Sequence, residues 1–155
     1  MPFQNQWLET ALQCCTQAEI EAWVHRFLLG EGNNQALSDG LQLIPRFWTG
    51  PVQMSLGLMT RCCGPEQEMP FQLPAEDWEQ NMEEKAASWR AGWRPPPFIL
   101  SVDGTQFIVA DGNHRHEMLR RVGEKQHWAF IWNDSETLWQ QTRTRLRNLD
   151  LLPRG

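Results

Sequence analysis

The stretch Asp111-Gly112-Asn113-His114-Arg115 gathers the residues of this chain best suited to hold an anion. It follows the apolar run Gln106-Phe107-Ile108-Val109-Ala110 and precedes a helical stripe of Met118, Leu119 and Val122 that Gly123 ends. A strand that turns through glycine into a helix leaves the first helical N–H groups free and aims the positive end of the helix dipole at the turn. Arg115 adds a full charge at that point, and Gly112 lets the backbone turn tightly or approach a ligand closely. Asp111 has the chemistry to hold a magnesium ion or a substrate hydroxyl. The same residues admit a plainer reading, in which Asp111 caps the helix, Gly112 makes the turn, and His114 and Arg115 are solvated.

Other reactive residues are less suggestive. His114 and His116 are separated by one residue at a helix start, which is poor spacing for two ligands on one zinc ion, and no third Cys or His stands at a familiar offset. His116 and Glu117 fall on other faces of that helix than the anion-holding residues. The four cysteines form two adjacent pairs, Cys14-Cys15 and Cys62-Cys63, without the two-residue spacer of a zinc clasp. Direct bridging of neighbours strains the backbone, so all four are expected to be reduced and mostly structural.

The elements that must position the motif can be read from patterning. Thr16-Gln17-Ala18-Glu19 has the form of a capping box, and Ile20, Trp23, Val24, Phe27 and Leu28 recur at helical spacing until Gly30. Trp7, Leu8, Ala11 and Leu12 predict a shorter helix before it, and Glu31 to Gly40 reads as a polar connector. The apolar face of this helical segment either packs on the rest of the chain or docks a protein partner; patterning does not separate the two. Val52, Met54, Leu56 and Leu58 alternate as in a half-buried strand that Arg61-Cys62-Cys63-Gly64-Pro65 ends. A helix is predicted over residues 75–91, with acidic residues at its start, covering one face of a sheet. Pro95-Pro96-Pro97 leads into Phe98 to Val102, and Asp103-Gly104 predicts a hairpin turn into the strand before the motif. Trp128 to Trp132 predicts another strand. A last helix, capped by Asp134 or Ser135, is expected to turn Leu138, Trp139, Thr142, Leu146 and Leu149 inward and to leave Arg143, Arg145 and Arg147 mostly solvated.

The chain has 155 residues, 41% of them hydrophobic and 21% charged, which suits one globular domain able to rest on its own core. No run of ~18 apolar residues exists and the N-terminus lacks the features of a secretory leader, so a cytoplasmic protein without a membrane span is expected. The net charge of −5 argues against a protein whose main task is to neutralise nucleic acid. Residues 1–94 hold 6 basic and 12 acidic side chains, whereas residues 95–155 hold 8 and 7, so basic character concentrates around the motif. The expected fold is α+β: a small mixed β-sheet with packed helices, arranged as a helical extension (residues 1–45), a core (46–133) and a C-terminal helix (134–155).

The segment from Pro95 to Gly123, PPPFILSVDGTQFIVADGNHRHEMLRRVG, resembles the ParB/sulfiredoxin-like superfamily, whose members share a proline-led strand, a hairpin and a glycine-led motif ending in His-Arg or Arg-Arg. Its Asp-Gly-Asn-His-Arg is most similar to the Asp-Gly-His-His-Arg of the free serine kinases, with Asn113 in place of the first histidine, and it lacks the cysteine of sulfiredoxins. The resemblance covers about residues 51–133. It implies a nucleotide ligand, ATP or ADP with CTP as the alternative, together with Mg²⁺. It also implies phosphoryl transfer to a small hydroxyl compound such as free serine. On that reading Glu66, in Gly64-Pro65-Glu66-Gln67, is the general base, and Asp111 holds the metal or the hydroxyl. Gly112, Asn113, His114 and Arg115 then hold the phosphates. Two other functions stay open: a nucleotide-binding module that acts through a protein partner of the helical ends, and ParB-like DNA partition or nuclease action. The last is disfavoured by the lack of a helix-turn-helix after the motif.

Overall fold

The computed structural model describes residues 5–153. Three N-terminal helices come first, α1 (Gln6–Leu12), α2 (Gln17–Leu29) and α3 (Gln35–Leu41). The capping box opens α2 as expected, with Thr16 accepting from the Glu19 N–H and Glu19 accepting from the Thr16 N–H. The polar connector is a connector only in its first part. Asn34 accepts from the Leu37 N–H and caps α3, whose single inward turn of Ser38 and Leu41 is too short for periodicity to reveal.

Strand β1 (Phe47–Ser55) begins earlier than the alternation suggested, and Leu56–Leu58 form a 3₁₀ turn before the short strand β2 (Met59–Arg61). The predicted strand through Leu58 is therefore corrected to two strands and a turn. Its end is corrected too, since Arg61 belongs to β2, and Cys63–Gly64 (β3) pairs with Phe71–Gln72 (β4). Helix α4 (Ala75–Arg90) follows, then the hairpin β5 (Phe98–Asp103) and β6 (Gln106–Asp111), helix α5 (Asn113–Arg121), β7 (Gln126–Asn133) and α6 (Glu136–Asn148). Ser135 rather than Asp134 caps α6.

The main sheet is mixed, in the order β1-β7-β5-β6-β2. Strands β5 and β7 run parallel at its centre, and β6 returns antiparallel to β5. Both central strands are buried on two faces, which explains their unbroken apolar runs. Phe98, Leu100, Ala129 and Ile131 join the core under α4, α5 and α6. Ile99 and Phe130 join the opposite core with Trp23, Val24, Phe27 and Leu28 of α2. The amphipathic face of α2 is thus consumed by the chain's own core. A register shift between Thr49 and Val52 moves Trp48 and Val52 into opposite cores although they stand four residues apart.

Helix α6 departs from expectation on both faces: Thr142 and Leu146 are buried, but Leu138 and Leu149 are exposed, and Arg143, Arg145 and Arg147 are half-buried rather than mostly solvated, Arg143 over the Trp139 ring and Arg145 over the Phe107 ring. Among the described residues no helix is long and apolar enough to cross a membrane.

Candidate anion-binding site

Strand β6 ends at Asp111, and Gly112 turns the chain into α5 with φ at +113°, a conformation glycine adopts without steric cost. A Cβ there would stand 2.6 Å from Phe98 Cδ1 and 2.7 Å from Arg115 Nη2. No side chain caps α5, so Asp111 is not its cap and the first N–H groups of the helix lack a side-chain acceptor.

Asp111 is engaged elsewhere. Its Oδ2 accepts from Arg115 Nη2 at 2.9 Å and its Oδ1 from Asn34 Nδ2 at 3.1 Å, so the loop before α3 is tied to the motif. Arg115 is only 6% exposed and lies over the rings of Phe27 and Phe98, at 5.4 and 5.9 Å from their centroids. It is not the solvated surface residue of the plainer reading. Burial of this guanidinium is sustained by its ion pair with Asp111 and by aromatic faces.

Asn113 turns inward. Its Oδ1 accepts from the Cys62 and Cys63 N–H groups at 2.8 and 3.2 Å, and its Nδ2 donates to the Val109 carbonyl at 3.0 Å. What it leaves for a ligand is its backbone N–H. The Cys62 and Cys63 thiols are free, and burial raises the Cys63 thiol to about 11. His116 and Glu117 diverge as expected, His116 to the Leu56 carbonyl and Glu117 to Arg120 and Arg121.

His114 packs against Trp78, with ring centroids 4.5 Å apart. Desolvation first, then the positive charges of Lys85, Arg115 and Arg61, lower its pKa to about 4. Its neutrality therefore follows from burial first, with the positive charges around the start of α5 acting in the same direction. Arg61 also stacks on Trp78, at 4.9 Å, and pairs with Glu66, whose carboxyl is held below its ordinary range mainly by that guanidinium. Glu66 is thus a paired anion of lowered basicity, and it is not among the residues that line the cleft with His114.

Asp111 to Arg115 line a cleft of about 240 Å³ closed by Phe27 and Glu31 from α2 and the loop after it, Lys85 from α4, and Trp93 and Pro96 beyond α4. Burial and the nearby Arg115 lower the Lys85 pKa, and Lys85 makes no ion pair among the described residues. Two of the three cations are neutralised locally, Arg115 by Asp111 and Arg61 by Glu66. Glu84 on the same helix as Lys85 and Glu31 at the cleft wall offset part of the positive charge, while Lys85 makes no ion pair among the described residues and no side chain caps α5.

That set fits the oxygens of a phosphate group. It does not fit a magnesium ion held by the protein. Both Asp111 oxygens already accept a bond, the carboxylate is neutralised by Arg115, and no cluster of three or more His, Cys, Asp or Glu stands ready for a metal among the described residues.

Sequence reasoning missed Asn34, Phe27, Glu31, Trp93 and Lys85. Lys85 was legible in principle, because it falls on the stripe of Trp78, Met82 and Trp89 in a helix whose earlier charges are all acidic. Asn34 offered no signal beyond that of a helix cap. No protein-family model matches the chain, and no curated protein matches it either.

Proposed function

We propose that the cleft at the start of α5 binds the phosphate groups of a nucleotide, ATP or ADP before CTP. The observation that supports this most is the uncapped, left-handed turn into α5 in one cleft with Lys85, a half-buried lysine that makes no ion pair among the described residues. A lysine without an ion pair and free helical N–H groups in one cleft are donors that an anion would engage together. The cleft is smaller than the ~300 Å³ at which pockets for whole drug-sized ligands begin, so it suits the phosphate end while the rest of the ligand lies outside, within reach of Trp93. The nucleotide itself is what the resemblance of residues 95–123 to the ParB/sulfiredoxin-like superfamily contributes.

Binding is better supported than phosphoryl transfer. Transfer to a hydroxyl such as that of free serine needs a carboxylate base and cations placed on the travelling charge. Glu66 is paired with Arg61, and Asp111 is shared by Arg115 and Asn34. The function proposed is therefore a nucleotide-binding module, and no step is routed through magnesium.

Calorimetric titration with ATP, ADP, CTP and pyrophosphate tests it, in the parent and in Lys85→Gln. Removal of a hydrogen-bonded charge weakens binding by about tenfold to a hundredfold, and Lys85→Gln is expected to do so for every ligand carrying the phosphates. Equal affinity in the two proteins, or no binding of any of the four, would overturn the assignment. Serine-dependent conversion of ATP to ADP that disappears in Glu66→Ala, with nucleotide affinity unchanged, would restore the transferase reading.

A further inference from the structure

The far end of the sheet carries a second and larger cleft, of about 520 Å³, between the β5–β6 turn, the end of β7 and α6. Because β5 and β7 are parallel and the hairpin turns at Gly104, this cleft and the start of α5 lie at opposite ends of the strands. Its volume falls in the range of small-molecule sites.

The charges around it balance in an unusual way. Arg46 pairs with Asp134 and also donates to the Gly40 and Leu41 carbonyls, so both members of that pair are engaged. Arg145 on α6 and Asp103 at the hairpin turn also line the cleft, yet neither makes an ion pair among the described residues. Arg145 is half-buried and lies 4.5 Å over the Phe107 ring, so its guanidinium is held in place. A simple anion would answer Arg145 and leave Asp103 unmatched, and a simple cation would do the reverse.

A buried amide points the same way. Asn133, only 4% exposed, donates through Nδ2 to Thr142 Oγ1 at 3.0 Å, while its Oδ1 is buried without a partner. An unmet buried amide oxygen costs stability and marks a place where a small donor would be gained. Leu138, which like Leu149 turns outward against expectation, is 47% exposed and lines this cleft with Trp132 and Val102. An apolar group laid against it would remove that surface from water.

We infer that this cleft binds a free amino acid with an apolar side chain: the carboxylate on Arg145, the ammonium on Asp103 with Asn133 at hand, and the side chain along Leu138 and Trp132.

The test follows the Asn133 side-chain amide and the Gly112 backbone amide by NMR during titration with L-leucine, with 4-methylpentanoate and with 3-methylbutylamine. L-Leucine is expected to shift the Asn133 signals saturably and to leave Gly112 unmoved, and each half-molecule should bind at least about tenfold more weakly. Arg145→Gln and Asp103→Asn, both at positions outside the core, should each weaken leucine binding about tenfold. Absence of a saturable shift with L-leucine, a response at Gly112 in its place, or undiminished binding in the two variants would overturn the proposal.

Discussion

Gly112 shows how one residue type fixes both the geometry and the chemistry of the α5 start. Its φ of +113° is costly for any residue with a Cβ, and the added carbon would press on Phe98 and on the Arg115 guanidinium, both buried. Gly112→Ala combines backbone strain with overpacking and is expected to lose about 2–4 kcal/mol in urea unfolding. The loss should be larger than for alanine at Gly104, where φ is +61° but the Cβ would meet nothing within 4 Å. Equal losses at the two glycines would show that strain acts alone and that Arg115 has room to move. Arg115 and Asp111 make the complementary point. Their residue types announced charge at the motif, but only the fold shows that they spend it largely on each other and leave Lys85 as the cleft's cation without an ion pair among the described residues.

At the scale of elements, most of the fold was legible where several independent signals agreed. The α2 capping box with its apolar stripe, the Asp103-Gly104 turn between apolar runs, and the strand-glycine-helix order at Gly112 all stand where the sequence puts them. Legibility failed where an element is shorter than its period, as in α3, or where a register shift interrupts alternation, as in β1. It failed at the site because one wall comes from the N-terminal helices, and no local pattern couples Asn34 to a residue 77 positions later. Asn34 serves two elements at once: its Oδ1 caps α3 and its Nδ2 holds Asp111. Asn34→Ala should therefore cost about 2 kcal/mol, roughly half from the cap and half from the lost bond to Asp111. Asn34→Ser keeps a capping oxygen without the donor and should recover about half of that loss. If serine recovers nothing in urea unfolding, the cap contributes nothing to stability.

Across the whole molecule, buried histidines give the stability a pH dependence that begins well above the carboxylate range. His127 is buried, its Nε2 donating to the Pro95 and Pro96 carbonyls, and desolvation lowers its pKa to about 4. In the unfolded chain an ordinary histidine takes up its proton near pH 6.5, so between about 6.5 and 4 the unfolded state binds more protons than the folded one. Stability contributed by the neutral His127 is therefore complete above pH 6.5 and falls as the pH drops toward 4, by on the order of 3 kcal/mol at most. His114, whose pKa burial first and then the charges of Lys85 and Arg115 lower to about 4, adds to the same window with a smaller weight because it is less buried. Glu117 follows later, since its hydrogen bond from Arg120 holds its carboxyl at about 2 and its contribution is lost only below the ordinary carboxylate range. Urea unfolding at intervals from pH 7.5 to 4 should show the decline, and His127→Gln, which can still donate to a proline carbonyl but takes up no proton, should flatten it. A profile in the variant as steep as in the parent would mean that His127 is protonated in the folded state at the same pH as in the unfolded chain. A phosphate ligand at the start of α5 would offset the charges acting on His114 and raise its pKa, so bound nucleotide should reduce the share of the decline that belongs to His114 and leave that of His127 unchanged.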